Sequence, residues 1–409
     1  MDISRRSLLG TAALGTAATA LPITRARAQG KPVIKIGVLN DQSGPYRDTG
    51  GLTSVACAKM AAAEFAAQAN GYTVEILSAD HQNKPDVGAG IARQWYDQGV
   101  DMIIDVPNSG VALAVAGVAK EKNKVHVNSG AATSDLTGPA CNANIIHWTY
   151  DTWMLAQSTG GATVKAGGDS WYFITADYAF GHKLEGDTTA LVKAAKGSVK
   201  GSSSYPFPGT TDFSSYLLQA QNSGAKVLGL ANAGGDTINS IKQAKEFGLT
   251  IDIAALLMFI TDVNALTLEV AQGLHLTESF YWDLNDRTRA FTKRLLPASP
   301  DNYPNMDHAG VYAGTLHYLK AINQIGVAAS KADGKASVAA MKALPTDDDC
   351  FGRGSIRADG RGMFHSYLFQ VKKPSESKGK WDYYKLVQDS DPEHAWRPLA
   401  DGNCPLIKA

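Results

Sequence analysis

The 409-residue chain carries 39 basic and 39 acidic residues, with 44% hydrophobic and 8% aromatic side chains and four cysteines. Such a balance supplies no basic face, which excludes nucleic acid as a partner. The length exceeds what one hydrophobic core supports, so two domains are expected.

Residues 1–28 read as an export leader. Arg5-Arg6 precede an uncharged run from Leu8 to Leu21, and Ala26-Arg27-Ala28 gives a small-residue cleavage pattern. "SRRSLLG" also resembles a twin-arginine leader, with ordinary export as the alternative. Its removal takes away four arginines and one aspartate, leaving 35 basic and 38 acidic residues and a formal charge of −3. The apolar run falls short of the roughly 18 residues that a membrane span needs. No other such run follows, so a soluble, exported chain is expected.

Strand-like and helix-like segments then alternate. Strands are expected at 33–39, 72–80 and 100–106 and in "KVHVNS", with helices at 51–68, 85–98 and 109–121 between them. The pattern restarts with a strand at 170–177, a helix at 180–196, a strand at 225–232, a helix at 236–248 and a strand at 251–259. The strands are nearly continuous apolar runs, which suits parallel sheets covered on both faces, and the alternation predicts two α/β units. Further on, 307–326 and 335–344 read as helices, "GSIRADGRGMFHSYLFQVKKP" as a hairpin turning at Asp359-Gly360, and 381–387 as a strand.

Of the cysteines, Cys57 lies in the apolar helical pattern "SVACAKMAAAEFAA" and reads as a buried thiol. Cys141 and Cys404 lie in polar loops and form the favoured disulfide, with Cys350 the competitor for either one.

Ligands of open α/β sheets bind outside the carboxyl ends of the strands. The loops expected there are "NDQSGPYRDTGG" (40–51), "PNSG" (107–110), "NSGAATSDL" (128–136), "ADYAFG" (176–181), "NAGGD" (232–236) and "FITD" (259–262). They combine hydroxyls and amides with Gly and Ala, and each precedes a helix. Free N–H groups at helix starts attract a carboxylate, so "NSGAATS" reads as an anion cradle; for any one loop, helix capping is the competing reading. Tyr178 and Phe180, with Trp148, Tyr150 and Trp153 upstream, offer an aromatic wall, although Trp153 is at helical phase and reads as core. Tyr46 sits in a Gly-rich loop with no apolar pattern, which points it at a cleft. Nucleotide-binding, nucleophile-elbow and zinc-protease motifs are missing, and the nine histidines form no ligand-spaced pair on an evident helix, so no catalytic residue and no metal are expected.

"IKIGVLNDQSGPYRDTGG", "NSGAATSDLTG", "ADYAFGHKLEGD", "DFSSYLLQAQNSGAKVLGLANAGGDTINSIKQAKEFG" and "FYWD", in this order, resemble the periplasmic solute-binding proteins of ABC importers. The Leu/Ile/Val-binding branch is the most similar, and the likeness covers nearly the whole mature chain. It implies the type I periplasmic-binding fold: two Rossmann-like α/β lobes, a Venus-flytrap, joined by three hinge crossings near 147–151, 278–283 and 351–357. Lobe 1 would comprise 29–147 and 282–352, and lobe 2 would comprise 148–281 and 353–409. Asn108, Ser109, Ala131, Ala132 and Thr133 fall where this family holds a ligand carboxylate. Asp262 only approximately matches the acid that holds an ammonium, small residues around Ala233 replace an expected Tyr, and Phe180 stands where a Tyr is common. Asn232 belongs to the same set of loops. The resemblance therefore implies capture of a small carboxylate, an aromatic acid fitting Tyr46, Tyr150, Tyr178 and Phe180, with branched-chain amino acids as the alternative. A periplasmic monomer without cofactor would deliver it to an inner-membrane ABC permease. A sensor subunit of the same fold and an exported hydrolase are the rival readings.

Overall fold

A computed structural model describes residues 30–407; the leader expected over 1–28 lies outside the described residues. The first unit opens with β1 (Val33–Asn40), α1 (Gly51–Phe65), β2 (Thr73–Asp80), α2 (Pro85–Asp97), β3 (Met102–Asp105), α3 (Ser109–Lys122), β4 (Val125–Asn128) and β5 (Ile145–His147). Its sheet runs β2-β1-β3-β4-β5, every pair parallel, with Val38 beside Ile104 and Ile104 beside Val127. The "MIID" and "VHVN" strands are wholly buried, as apolar runs in a two-sided parallel sheet should be. β2 is a half-exposed edge strand instead.

The second unit begins with α4 (Thr152–Leu155), a π turn (Ala156–Gly160) and α5 (Gly161–Lys165). It continues through β6 (Ser170–Ala176), α6 (Ala179–Ala194), β7 (Ser198–Tyr205), α7 (Ser214–Asn222), β8 (Val227–Ala231), α8 (Gly235–Glu246) and β9 (Asp252–Ala255). The sheet order is β7-β6-β8-β9, again parallel. β9 is shorter than expected: Leu256 to Phe259 leave the sheet and lead into α9 (Ile260–Leu266), which is followed by α10 (Leu268–Ala271) and β10 (His275–Glu278).

The chain then returns with α11 (Asp286–Leu295) and α12 (Met306–Ile325), which packs on α1 and β3 of the first unit. Next come α13 (Val327–Ala332), α14 (Gly334–Ala343), β11 (Thr346–Asp348), β12 (Gly352–Ile356), β13 (Gly362–Met363), β14 (Ser366–Val371), β15 (Tyr384–Ser390) and α15 (Pro392–Ala395). The hairpin expected over 354–374 is divided. β12 and β13 do pair around Asp359-Gly360, but β14 pairs with β10 and β15. β15 begins at Tyr384, later than the 381 expected, because Trp381 adopts a left-handed φ of +73° and its ring stacks on Tyr303 at 4.9 Å.

Cys141 is bonded to Cys404, with 5.6 Å between Cα atoms, and Cys57 and Cys350 are buried thiols. The bond and an Arg397–Ser134 carbonyl hydrogen bond of 2.9 Å hold the tail on the loop after β4. No helix among the described residues is long and apolar enough to cross a membrane.

Candidate functional site

The carboxyl ends of the two parallel sheets face each other. Between them Tyr46, Thr49, Pro107, Gly130, Ala132, Tyr150, Tyr178, Phe180, Ala233, Leu257 and Phe259 enclose a cavity. Tyr46, Thr49, Pro107, Gly130 and Ala132 come from loops of the first sheet, and Tyr178, Phe180, Ala233, Leu257 and Phe259 from the second unit. No charged side chain is among them.

The cleft is shut. Tyr46 and Tyr178 share a hydroxyl hydrogen bond of 2.6 Å across it, Phe207 stacks on both rings, and the Gly235 N–H donates to the Pro45 carbonyl at 3.2 Å. The remaining cavity is about 10 Å³, about the minimum for one water. Burial pushes the phenols of Tyr46, Tyr150 and Tyr178 upward, so all three keep their protons and remain donors. Tyr150 spends its proton on the Gly130 carbonyl and stands edge-on to Phe259 at 5.6 Å.

The floor explains the glycine and alanine content of the loops. A Cβ on Gly130 would lie 2.6 Å from Pro107 Cα. Gly234 has φ +55°, and its Cβ would lie 2.5 Å from the Pro45 carbonyl oxygen. These residues are small so that backbone can meet backbone. Just behind the floor Asp105 and Val106 hold φ of +86° and +59°, strained values for non-glycine residues, and so turn Pro107 into the cavity.

Five of the sequence-predicted residues line the cavity: Tyr46, Ala132, Tyr150, Tyr178 and Phe180. The other six hold loops. Asn108 caps α3 by accepting from the Val111 N–H at 3.1 Å. Ser109 Oγ accepts from the Thr133 N–H at 3.2 Å, and Thr133 Oγ1 accepts from the Asp135 N–H at 3.3 Å. The Ala131 N–H donates to Asn128 Oδ1, and Asn232 binds Thr237 and Ser240. Asp262 accepts from the Phe259 N–H at 3.0 Å and borders an outer groove of about 650 Å³, with Arg47, Asp48 and Asp236.

The expected cradle is therefore narrower than the sequence suggests. The amides of Ser129, Gly130, Ala131, Thr133 and Ser134 already have partners. Among the described residues of this loop only the Ala132 N–H is unpaired, and Ser129 Oγ is buried without a partner. Capping chemistry and anion chemistry use the same residue types, so composition could not separate them. Thr49, Pro107, Gly130 and Phe259 lie in the loops the sequence points to but are not singled out there, and Leu257 lies outside those loops. Phe259 was findable: an aromatic residue ending a β-like run just before a helix start lies at the same edge as Phe180.

Residues 33–380 match the family model for periplasmic binding proteins. The chain belongs to that family. It is 46% identical to a periplasmic binding protein of Burkholderia mallei, with a TM-score of 0.88 over 92% of this chain and 99% of that one. A branched chain amino acid ABC transporter periplasmic ligand-binding protein of Burkholderia xenovorans LB400 is 38% identical, with a TM-score of 0.79 over 91% and 99%. A solute-binding protein of an R. palustris ABC transporter, solved with benzoate, shares the fold at 20% identity and a TM-score of 0.77 over 88% and 97%. No curated protein matches the chain. The two-lobe type I fold and a substrate-binding role in ABC transport follow from membership, and the hydrolase considered from sequence is set aside.

Proposed function

We propose that this periplasmic binding protein captures a small aromatic carboxylate of the benzoate type and delivers it to its permease as a monomer, after export to the periplasm. The observation that carries the reading is the cavity lining: five aromatic rings of Tyr or Phe, aliphatic Leu257, no charged side chain, and one unpaired amide at Ala132. Rings suit an aromatic body. Hydroxyls and an amide suit a carboxylate, because a buried anion must be hydrogen-bonded. Asp262, the acid nearest to an ammonium-holding role, borders the outer groove and already accepts the Phe259 N–H. The ligand's entry would separate the Tyr46 and Tyr178 hydroxyls and free both as donors. The same fold accommodates benzoate in the R. palustris protein.

In this reading the first lobe comprises about 30–147, 282–363 and the tail from 391, and the second comprises 148–281 and 366–390. This moves the third crossing from 351–357 to Phe364-His365, since β13 pairs with β12 and β12 with β11, and neither with β14. Branched-chain amino acids are the second reading, favoured by the name of the B. xenovorans relative.

Thermal-shift titration of the mature protein with benzoate, 4-hydroxybenzoate, leucine and valine tests this. A ligand at 100 times its Kd adds about 2.7 kcal/mol of stability. A shift with the benzoates alone is expected. A shift with leucine or valine alone rejects the aromatic class and points to Asp262.

A further inference from the structure

We infer that Glu278, a residue outside the cavity, is the latch that couples the cavity wall to lobe closure. The inference rests on the cleft being the ligand site, though not on the class of ligand. Glu278 ends β10, where the chain leaves the second lobe, and its side chain is 1% exposed. Oε1 accepts from the Ile260 N–H at 3.2 Å and from the Tyr384 hydroxyl at 3.0 Å. Oε2 accepts from the Met306 N–H at 3.1 Å.

Those two amides are the first of two helices in different lobes. Ile260 opens α9 and follows the wall residue Phe259; Met306 opens α12, which packs on α1. Asn305 caps α12 by accepting from the Asp307 and His308 amides, which leaves the Met306 N–H for Glu278. The N-terminus of the long helix α12 carries about half a positive charge, and the carboxyl of Glu278 meets it while also accepting the first amide of α9. The two amides can only donate and the Tyr384 hydroxyl can donate or accept, so the carboxyl is fully hydrogen-bonded in this position. Burial works against ionisation and pushes this carboxyl up to about 8, with the three donors pulling it down.

Opening carries Met306 away with the first lobe, while Ile260 and Tyr384 stay with the second. The Glu278–Met306 bond therefore belongs to the closed form, and breaking it is one of the contacts that opening must lose. Because the same carboxylate holds the start of α9, closure and the position of Phe259 are set together. Glu278 is in this sense a positioning residue.

Closure can be read without any ligand. A Cβ on Gly235 would sit 3.8 Å from Pro45 Cβ across the cleft, inside the roughly 3.5–4.5 Å of a disulfide. The double variant Pro45→Cys/Gly235→Cys therefore cross-links only when the lobes meet, with glutathione disulfide as oxidant; each protein thiol gives up its hydrogen and two glutathione molecules leave reduced. Cys57 and Cys350 are buried and do not compete. The cross-linking rate is measured by non-reducing electrophoresis at pH 9, above the value to which burial raises the carboxyl.

Adding Glu278→Gln is expected to slow cross-linking at least fivefold at a thermal midpoint close to the parent's. Glu278→Asp, which keeps the charge but is too short to reach both helices, should behave alike and serves if the Gln variant does not fold. Rates within twofold of the parent overturn the latch and leave Glu278 a purely structural residue. Benzoate and leucine are added to the parent reporter separately. If neither accelerates cross-linking, the proposed ligand classes fail while the Glu278 comparison still decides the latch.

Discussion

At the residue scale, the small residues of the loops divide into those that let the lobes meet and those that do not. Gly234 combines φ +55° and ψ −131°, a region nearly closed to other residues, and a Cβ there would lie 2.5 Å from the Pro45 carbonyl oxygen. Its neighbour Gly235 leaves 3.8 Å to Pro45. Gly234→Ala should weaken binding of the stabilising acid by tenfold or more, about 1.4 kcal/mol, since the Cβ must push the lobes apart. Gly235→Ala should stay near the parent's affinity. Calorimetric titration of the pair decides it, and equal affinities would remove backbone contact as the reason for "AGGD". This distinction was not legible in the sequence. "NAGGD" and "NSGAATS" look alike as strings, but the first serves contact across the cleft, while the second holds its own loop together and offers the cavity only Gly130 and Ala132, with one free amide at Ala132.

At the element scale, the parallel strands and their helices were legible because burial on both faces writes itself as an apolar run. "SWYFITA" and "VLGLA" are wholly buried, and α8 repeats its apolar positions three apart. The elements missed lack that signal. β7, "SVKGSSSY", is a polar edge strand with alternate residues exposed, and α11, "DRTRAFTKRL", buries only a narrow stripe. The division of the expected hairpin was also hidden, because it depends on Arg361. This guanidinium is 1% exposed, stacks on Trp396 at 4.2 Å, and donates to the carbonyls of His147, Thr149 and Gly362 and to Asp151 Oδ2. It pins the segment after β5 to the start of β13, while β14 joins the separate β10-β14-β15 sheet. Removing one partner of a buried ion pair costs about 3–5 kcal/mol. Arg361→Met should therefore lower the unfolding free energy from urea titration by that order, and a variant as stable as the parent would deny Arg361 its role at this junction.

At the scale of the whole molecule, two acids buried beneath the cleft contribute to the response to pH, beside Glu278. Asp105 ends β3 and Asp307 lies in the first turn of α12, both fully buried. Asn40 Nδ2 donates to Asp105 Oδ2 at 2.8 Å, whereas neither oxygen of Asp307 has a partner. Burial pushes Asp105 up to about 6, and burial together with the nearby Asp105 charge drives Asp307 well above the ordinary carboxylate range. A raised carboxyl binds more protons in the folded than in the unfolded state, so stability falls as pH rises. The loss begins above the unfolded value of about 4 and continues through about 6 for Asp105 and higher still for Asp307. The folded protein should thus be more stable at pH 5 than at pH 8. Asp307→Asn keeps the shape of the side chain and removes the charge. It should leave the thermal midpoint near the parent's at pH 5, raise it by roughly 2–4 °C at pH 8, and flatten the profile between. Scanning calorimetry at pH 5, 6.5 and 8 measures all three. A variant that keeps the parent's slope would place the pH response elsewhere, with Glu278, Asp262, Asp236 and Asp348 as the next acids that burial has raised.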